Sequence, residues 1–475
     1  MNKVNYLPLI IILTTFSSIG GFLCTFFHGE VQFWEIGIKE IVSLGLFILV
    51  LLCASLNKTM YSFLIPFVCV AFPTPVSHFF PGVYEQQGNH GVIYPFVNHV
   101  ELFFLYLVLI HKGKLNCRLS PIVSFLCIGI IISFIANLIT CKNMQDVGIL
   151  TTGLYTIRTL VLISLVINTI HIDNRVFVKG ICFSLFFLLF ESYLNSKSAN
   201  LSILTSGSLG SNTFGNVCGQ LTCLLLFISF FCKRMGVSKK IVYPSILIGF
   251  IIVIASDTRM ALLSLILVFS FVLYPRLTTK NKVLLILSVG CVLFFAWGAI
   301  YSAFVNSGKY DFEAMADLAR DGTNASWSSS TSSLLTRIQL WTTASNMIRN
   351  NLFSGIGFNM FDNLKNDYGF GIDVVIDPHN GYFYLLSSLG VIFGTAFIYF
   401  LYIRPWIIFR KSPDLIVRTL CIFSMGISIC EFTNAGVFKF QIFSFLVFLA
   451  LYSHRLYREN IWLSSSKTKK KRISC

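Results

Sequence analysis

The chain alternates between long apolar runs, about 16–24 residues each, and short polar breaks. The runs lie near 6–27, 38–56, 61–80, 93–110, 119–140, 147–170, 176–195, 213–232, 241–256, 260–275, 283–305, 380–403, 415–430 and 438–453. An α-helix needs roughly 20 apolar residues to cross ~30 Å of hydrocarbon, and most of these runs come close to that length. They are continuous rather than alternating, which excludes a transmembrane β-barrel. The predicted fold is all-α: a polytopic transmembrane helical bundle of about 12–14 spans, the range reflecting the short runs near 41 and 438.

Charge in the breaks orients the bundle. Lys112, Lys114 and Arg118 occupy one break, Arg175 and Lys179 the next basic one, and Lys233, Arg234, Lys239 and Lys240 another. Arg276, Lys280 and Lys282 follow, then Arg404, Arg410 and Lys411, then a tail with Lys467, Lys469, Lys470, Lys471 and Arg472. Two spans separate neighbouring clusters, so all fall on one side, which the positive-inside rule makes cytoplasmic. Both termini are then inside, and the breaks at 81–92, 141–146, 196–212, 257–259, 306–378 and 431–437 are external. The organisation expected is transmembrane helices over 1–305, a large external loop over 306–378, C-terminal spans over 379–453 and a basic cytoplasmic tail over 454–475. The run from Tyr6 to Phe27 reads as a first span rather than a signal peptide, because no small-x-small cleavage site follows it.

Within the large loop, Ser333 to Asn350 has the spacing of an amphipathic helix, with Leu334, Ile338, Trp341, Ala344, Ser345 and Ile348 on one face. Gly355 and Gly357 follow its end, and Asp377-Pro378-His379-Asn380 leads into the next span, where Pro378 and the polar residues beside it suit a helix start.

Composition adds three exclusions. Only 12% of residues are charged and 55% are hydrophobic, too few charges to cover a water-facing surface. The net charge of +16 collects in loops and tail, where it meets anionic membrane lipid rather than nucleic acid. The 14 cysteines show neither C-x-x-C nor zinc spacing, and the large loop contains none, so no disulfide framework or metal site is expected. No P-loop occurs, and the loop lacks a D-x-D pair, so neither a nucleotide nor a metal cofactor is expected.

Four residues stand out for chemistry. Arg158 lies well inside the span 147–170, where a charge is costly and marks a functional site by default; pairing with a buried carboxylate such as Glu101 or Glu191 is the alternative. Arg259, with Asp257 beside it, sits in a turn barely long enough to join two spans, and an interfacial anchor is the plain explanation. Arg337 lies four residues before Trp341 on the loop helix, where a solvated face is the ordinary outcome. His379 stands at the external mouth of a span next to Asn380, and an imidazole suits proton transfer near neutral pH. Guanidinium groups bind phosphate through a planar fork and keep their charge, which suits a departing diphosphate.

These residues fall in an order that resembles the O-antigen ligase/polymerase superfamily. Ser256-Asp257-Thr258-Arg259-Met260-Ala261-Leu262-Leu263 is similar to its S-R-x-A-hydrophobic stretch. Arg337-x-x-x-Trp341 with Ala344, then Leu352-Phe353-Ser354-Gly355-Ile356-Gly357-Phe358, is similar to its R-x-x-x-W and P-hydrophobic-x-G-hydrophobic-G loop. His379-Asn380-Gly381-Tyr382-Phe383 with Gly390 and Gly394 resembles its H-N and G-hydrophobic-hydrophobic-G signature, and Gly210-Ser211-Asn212-Thr213 resembles an upstream P-N turn. Departures are Phe353-Ser354 in place of the proline and Met260 in place of a glycine. The resemblance covers roughly 205–400.

It implies an inner-membrane glycosyltransferase that inverts the sugar it moves from undecaprenyl diphosphate at the periplasmic face. By the same resemblance Arg259 and Arg337 bind the diphosphate, Arg158 helps from the membrane side, and His379 orients or deprotonates the acceptor hydroxyl. Asn380, Trp341 and Asp257 are the accompanying substrate-binding positions. The partners implied are an undecaprenyl-diphosphate-linked oligosaccharide, a glycan or lipid A-core acceptor, membrane lipids and a chain-length regulator. Polymerisation of O-antigen or other surface-polysaccharide repeats is the favoured activity, because the chain is long and departs from the tidier signatures. A ligase attaching glycan to lipid A-core, a protein-glycosylating relative, and a transporter or flippase using Arg158, Glu101 and Glu191 are the alternatives. Transport does not need so long an external loop.

Overall fold

The structure is a computed structural model. It describes residues 38–56, 59–72, 82–87, 90–95, 98–111, 119–139, 141, 144–198, 211–256, 258–273, 332–369, 378–432 and 440–473, with isolated positions between 278 and 290. The expected span 6–27, most of 283–305 and the first part of the large loop lie outside these residues.

The described chain is a helical bundle: α1 Ile38–Leu56; α2 Met60–Pro66, extended by a π-helical turn Phe67–Ala71; α3 His99–Ile110; α4 Pro121–Leu138; α5 Met144–Thr169; α6 Asn174–Ser198; α7 Ser211–Ser229; α8 Lys239–Ala255; α9 Arg259–Leu273; α10 Ser332–Asn350; α11 Gly381–Ile398; α12 Leu415–Cys430; and α13 Phe440–Ile473. Among the described residues, four segments are long and apolar enough to cross a membrane: Pro121–Leu138, Ile149–Thr169, Asn174–Tyr193 and Gly381–Lys411. Shorter apolar helices include Leu44–Leu56, Met60–Ala71, His99–Ile110, Thr213–Ser229, Met260–Val272 and Leu415–Cys430. The outer faces are apolar: Phe125, Ile128, Ile132, Ile135 and Leu138 form an exposed stripe along α4. A stripe of that kind is stable against lipid rather than water. The chain is thus an all-α polytopic helical protein.

Helix ends show why the breaks fall where they do. Asn98 closes a capping box on α3, its side chain accepting from Glu101 N at 2.9 Å while its own N–H donates to Glu101 Oε2 at 3.5 Å. Pro121 stands in the first turn of α4, where a missing N–H costs nothing. Asp414 caps α12 by accepting from Ile416 N at 2.8 Å.

The connectors sort into two ends. At one end Tyr61 Oη donates to His171 O at 2.8 Å, Asn460 Nδ2 to Asp414 Oδ2 at 2.8 Å, and Gly236 packs on Arg175 Cδ. This is the basic end, carrying Arg175, Lys233, Arg234, Lys239, Lys240 and Lys411. At the other end Asn137 Nδ2 donates to Gly355 O at 3.0 Å, and Gly381 N to Glu431 O at 2.9 Å.

Several expectations need correction. The external break 81–92 and the head of the expected span 93–110 form an antiparallel hairpin, β1 Gly82–Gln87 and β2 His90–Pro95, with Tyr84 opposite Ile93. Val83, Tyr84, Val92, Ile93 and Tyr94 have strand propensity, and Gly88-Asn89 between them is a hairpin-turn signal. In the expected span 61–80 the helix ends at Ala71, with Phe72 extended, and 73–80 lie outside the described residues. The last helix, α13, runs from the last expected span into the expected tail, to Ile473. Helix α10 is present, but its buried face is Leu340, Thr343, Ala344 and Met347, while Ile338 is 38% exposed. The face is chosen by docking: these side chains close a small core with Ile149 and Leu150 of α5 and with Ile356, Met360 and Phe361.

The expected span 380–403 is helical but contains a break. Gly390 adopts φ 73° and ψ 175° inside it, and the helix resumes through a π-helical turn Tyr399–Ile403 to Arg404–Lys411. Near the break the arms fold together, so that a Cβ on Gly394 would lie 2.7 Å from Leu385 O. The loop after α10 supplies hydrogen bonds at the break: Ile356 N donates to Ser387 O at 2.8 Å, Gly357 N to Ser388 O at 3.0 Å, and Val391 N to Leu352 O at 2.8 Å. Ser133 Oγ of α4 adds a bond to Ser388 O at 2.9 Å. A helix cannot be interrupted inside a low-dielectric bundle unless its polar groups are re-paired; the Gly355-Ile356-Gly357 backbone does this.

Candidate active site

The site is built at the non-basic end, from the first residues of α9 and α11, the last of α12, and one face of α10. Asn380 caps α11: its side-chain oxygen accepts from Tyr382 N at 3.0 Å and Phe383 N at 3.1 Å, and its amide donates to Phe432 O at 3.1 Å. Immediately before it, His379 has φ 47°, a left-handed conformation that histidine adopts more readily than most side chains. Its side chain is half-buried.

Helix α10 reaches this turn through Trp341. The indole N–H donates to Pro378 O at 3.1 Å, and the ring stacks on Phe383 with centroids 6.2 Å apart. Arg337 lies one turn earlier and is half-buried, so residues i and i+4 bring the guanidinium-bearing position and the indole to the same side of the helix. The structure therefore joins Arg337, Trp341, His379 and Asn380, which the sequence separates by about 40 residues.

Arg259 begins α9 at the same end. The adjoining Met260 O faces Cys430 Sγ at 3.9 Å, and Glu431, the next residue, holds Gly381 by its carbonyl. The turn before it rests on α7: Ser256 and Thr258, whose hydroxyls lie 3.0 Å apart, occupy the space a side chain on Gly215 would need. Asp257 and the Arg259 side chain lie outside the described residues. Helices α9 and α11 point their N-termini at this end, where their partial positive charge favours an anion.

Arg158 is placed differently. It is 2% exposed, its Nε donates to Glu101 Oε1 at 2.8 Å, and its Nη2 forms the second arm of a bidentate pair with Glu101 Oε2. Thr159 Oγ1 donates to Glu101 Oε1 at 3.0 Å, and the guanidinium carbon stands 4.7 Å from the Tyr155 ring centroid. Of the two carboxylates the sequence offered, Glu101 is the partner.

Two further residues belong to the site's frame. Glu431 is 2% exposed at the end of α12, and its carboxylate fills the space that a side chain on Gly381 would take. Tyr384 Oη donates to Asn359 Oδ1 at 2.5 Å and accepts from Asn359 N at 3.0 Å, tying the Gly355–Asn359 loop to the first arm of α11. Glu431 is the first residue of an external break with no motif around it, so nothing in the sequence pointed to it except a lone acidic residue at a span end. Among the described residues no group of three or more His, Cys, Asp or Glu is arranged to hold a metal ion.

Residues 244–399 match the family model described as O-antigen ligase. No curated protein matches the chain. The matched segment, about a third of the chain, holds Arg259, Arg337, Trp341, His379, Asn380, Gly390 and Gly394, and it supports membership of the O-antigen ligase/polymerase superfamily.

Proposed function

We propose that this protein transfers a glycan from undecaprenyl diphosphate to an acceptor hydroxyl at the non-basic end of the bundle, and that it polymerises O-antigen or other surface-polysaccharide repeats. The observation that carries this reading is the Trp341–Pro378 bond, which holds the Arg337 helix against the His379–Asn380 cap beside the start of the Arg259 helix. In this reading the acceptor oxygen attacks the anomeric carbon and inverts it. The bond from that carbon to the phosphate oxygen breaks, and the diphosphate leaves on its lipid. Arg259 and Arg337 take up the charge that develops on the diphosphate, where preorganised cations act most strongly. His379 receives the hydroxyl proton. Asn380 keeps His379 in its strained turn, and Trp341 sets the distance between arginine and histidine. Asp257 lies beside Arg259 as a substrate-binding position. Arg158 is assigned the fixing of α5 to α3 through Glu101 rather than a substrate contact. No nucleotide or metal takes part.

The basic end is cytoplasmic in this reading, both termini lie inside, and the enzyme occupies the bacterial inner membrane with its site facing the periplasm. A chain-length regulator is the further partner. A second reading, ligation of finished glycan to lipid A-core, is favoured by the description of the matching family.

Reconstitution with lipid-linked repeat units tests both. Chain extension supports the polymerase, product on lipid A-core the ligase, and movement across the bilayer without a new bond refutes glycan transfer. His379→Ala is expected to abolish the new bond. Arg337→Lys keeps the charge but loses the fork, and is expected to slow it by about 10²-fold or more, as for other lost oxyanion contacts. Wild-type turnover in both variants would remove these residues from the reaction.

A further inference from the structure

At the basic end, far along α11 from the candidate active site, two arginines meet a histidine. Arg404 heads the last segment of the bent helix, Arg404–Lys411, and His454 and Arg458 stand one turn apart on α13. Arg404 Nη2 lies 2.8 Å from His454 Nδ1 and 3.0 Å from Nε2. A guanidinium can only donate, so the imidazole accepts and is neutral. Burial, with Arg404 and Arg458 beside it, pushes His454 down to about 4, which agrees with that geometry.

The charged groups facing His454 are these two arginines, and the nearby acids are engaged elsewhere. Glu459 pairs with Arg455 at 2.7 Å, and Asp414 caps Ile416 and accepts from Asn460, each at 2.8 Å. Two arginines thus act on one imidazole, and the nearby acids are paired or capping elsewhere, an arrangement that favours a bound anion. The surroundings are interfacial. Tyr399 and Ile403, one turn and one residue before Arg404, are 41% and 46% exposed, and Ile461 past Arg458 is 50% exposed. An exposed tyrosine beside exposed aliphatic side chains is the usual dress of the headgroup region.

We propose that Arg404 and Arg458, with His454 between them, bind the phosphodiester of an anionic phospholipid, whose acyl chains lie along Tyr399 and Ile403. Basic pockets between helices at this depth suit acidic headgroups. The site is independent of the glycan chemistry at the opposite end.

The test uses purified, delipidated full-length protein in detergent. It is titrated with phosphatidylglycerol, with phosphatidylcholine, or with inorganic phosphate, and bound lipid is read by native mass spectrometry and stability by thermal shift. Phosphatidylglycerol is expected to bind and raise the melting temperature, and phosphatidylcholine and phosphate to do neither. Arg458→Gln, an exposed position that leaves packing intact, is expected to weaken phosphatidylglycerol binding about fivefold, the usual share of one cation at an anionic surface. Arg404→Gln/Arg458→Gln should lose it, and Arg234→Gln, exposed elsewhere at the same end, should not change it. Equal binding of the two lipids, equal stabilisation by phosphate, or wild-type binding by Arg458→Gln would each overturn the proposal.

Discussion

The broken helix gives the sharpest test of how this site is held together. Replace Gly390 by alanine. Its φ of 73° and ψ of 175° lie in a region that only glycine occupies freely, and forcing a side chain there costs about 1–3 kcal/mol. The added Cβ would also stand 2.6 Å from both Leu352 O and Phe353 O, so the loop must retreat. Retreat threatens three backbone bonds, from Ile356, Gly357 and Val391, each contributing about 1 kcal/mol net. The sum is about 4–6 kcal/mol, a large fraction of the stability of an ordinary domain. Thermal unfolding in detergent reads it, with Gly45→Ala as the comparison, since a Cβ there meets nothing within 4 Å and alanine favours the helix. Gly390→Ala should melt many degrees below the wild type, and Gly45→Ala at or above it. Gly355→Ala, whose φ is 64° and whose Cβ would meet Ser388 and Gly390, should follow Gly390→Ala. If Gly390→Ala melts with the wild type, the loop does not re-pair the break as described.

The Arg158–Glu101 pair separates structure from catalysis. Glu101→Ala strands a buried guanidinium and should cost about 3–5 kcal/mol, whereas Arg158→Leu/Glu101→Leu, measured by the same melting curve, should recover most of it; failure to recover would show that the loss does not come from an unpaired charge. At the cap of α11, Gly381→Ala collides with the Glu431 carboxylate and should lower both stability and transfer. Adding Glu431→Ala vacates that volume, so the double variant should be no less stable than Glu431→Ala alone, and strictly additive losses would show that the two residues do not meet.

The sequence alone determined the helical class and the apolar spans, and set the expectation of alternating sides. These depend on local quantities, namely run length, hydropathy and the placement of lysine and arginine. Helix α1 is found at the predicted bounds and α10 within a residue of them, because periodicity and caps are written in neighbouring residues. The motifs around Arg259, Arg337 and His379 were also legible, though only as separate short signatures. Tertiary structure decided what no local rule encodes. It chose the Leu340, Ala344 and Met347 face of α10, because α5 lay there to receive it. It gave Arg158 to Glu101, 57 residues away, because a buried guanidinium must find a counter-charge wherever the bundle supplies one. It broke α11 at Gly390, because a loop more than 30 residues earlier carries the hydrogen bonds that make the break affordable. Burial, charge pairing and backbone satisfaction are properties of the packed bundle, and they become definite only when distant segments are brought within a few ångströms of each other.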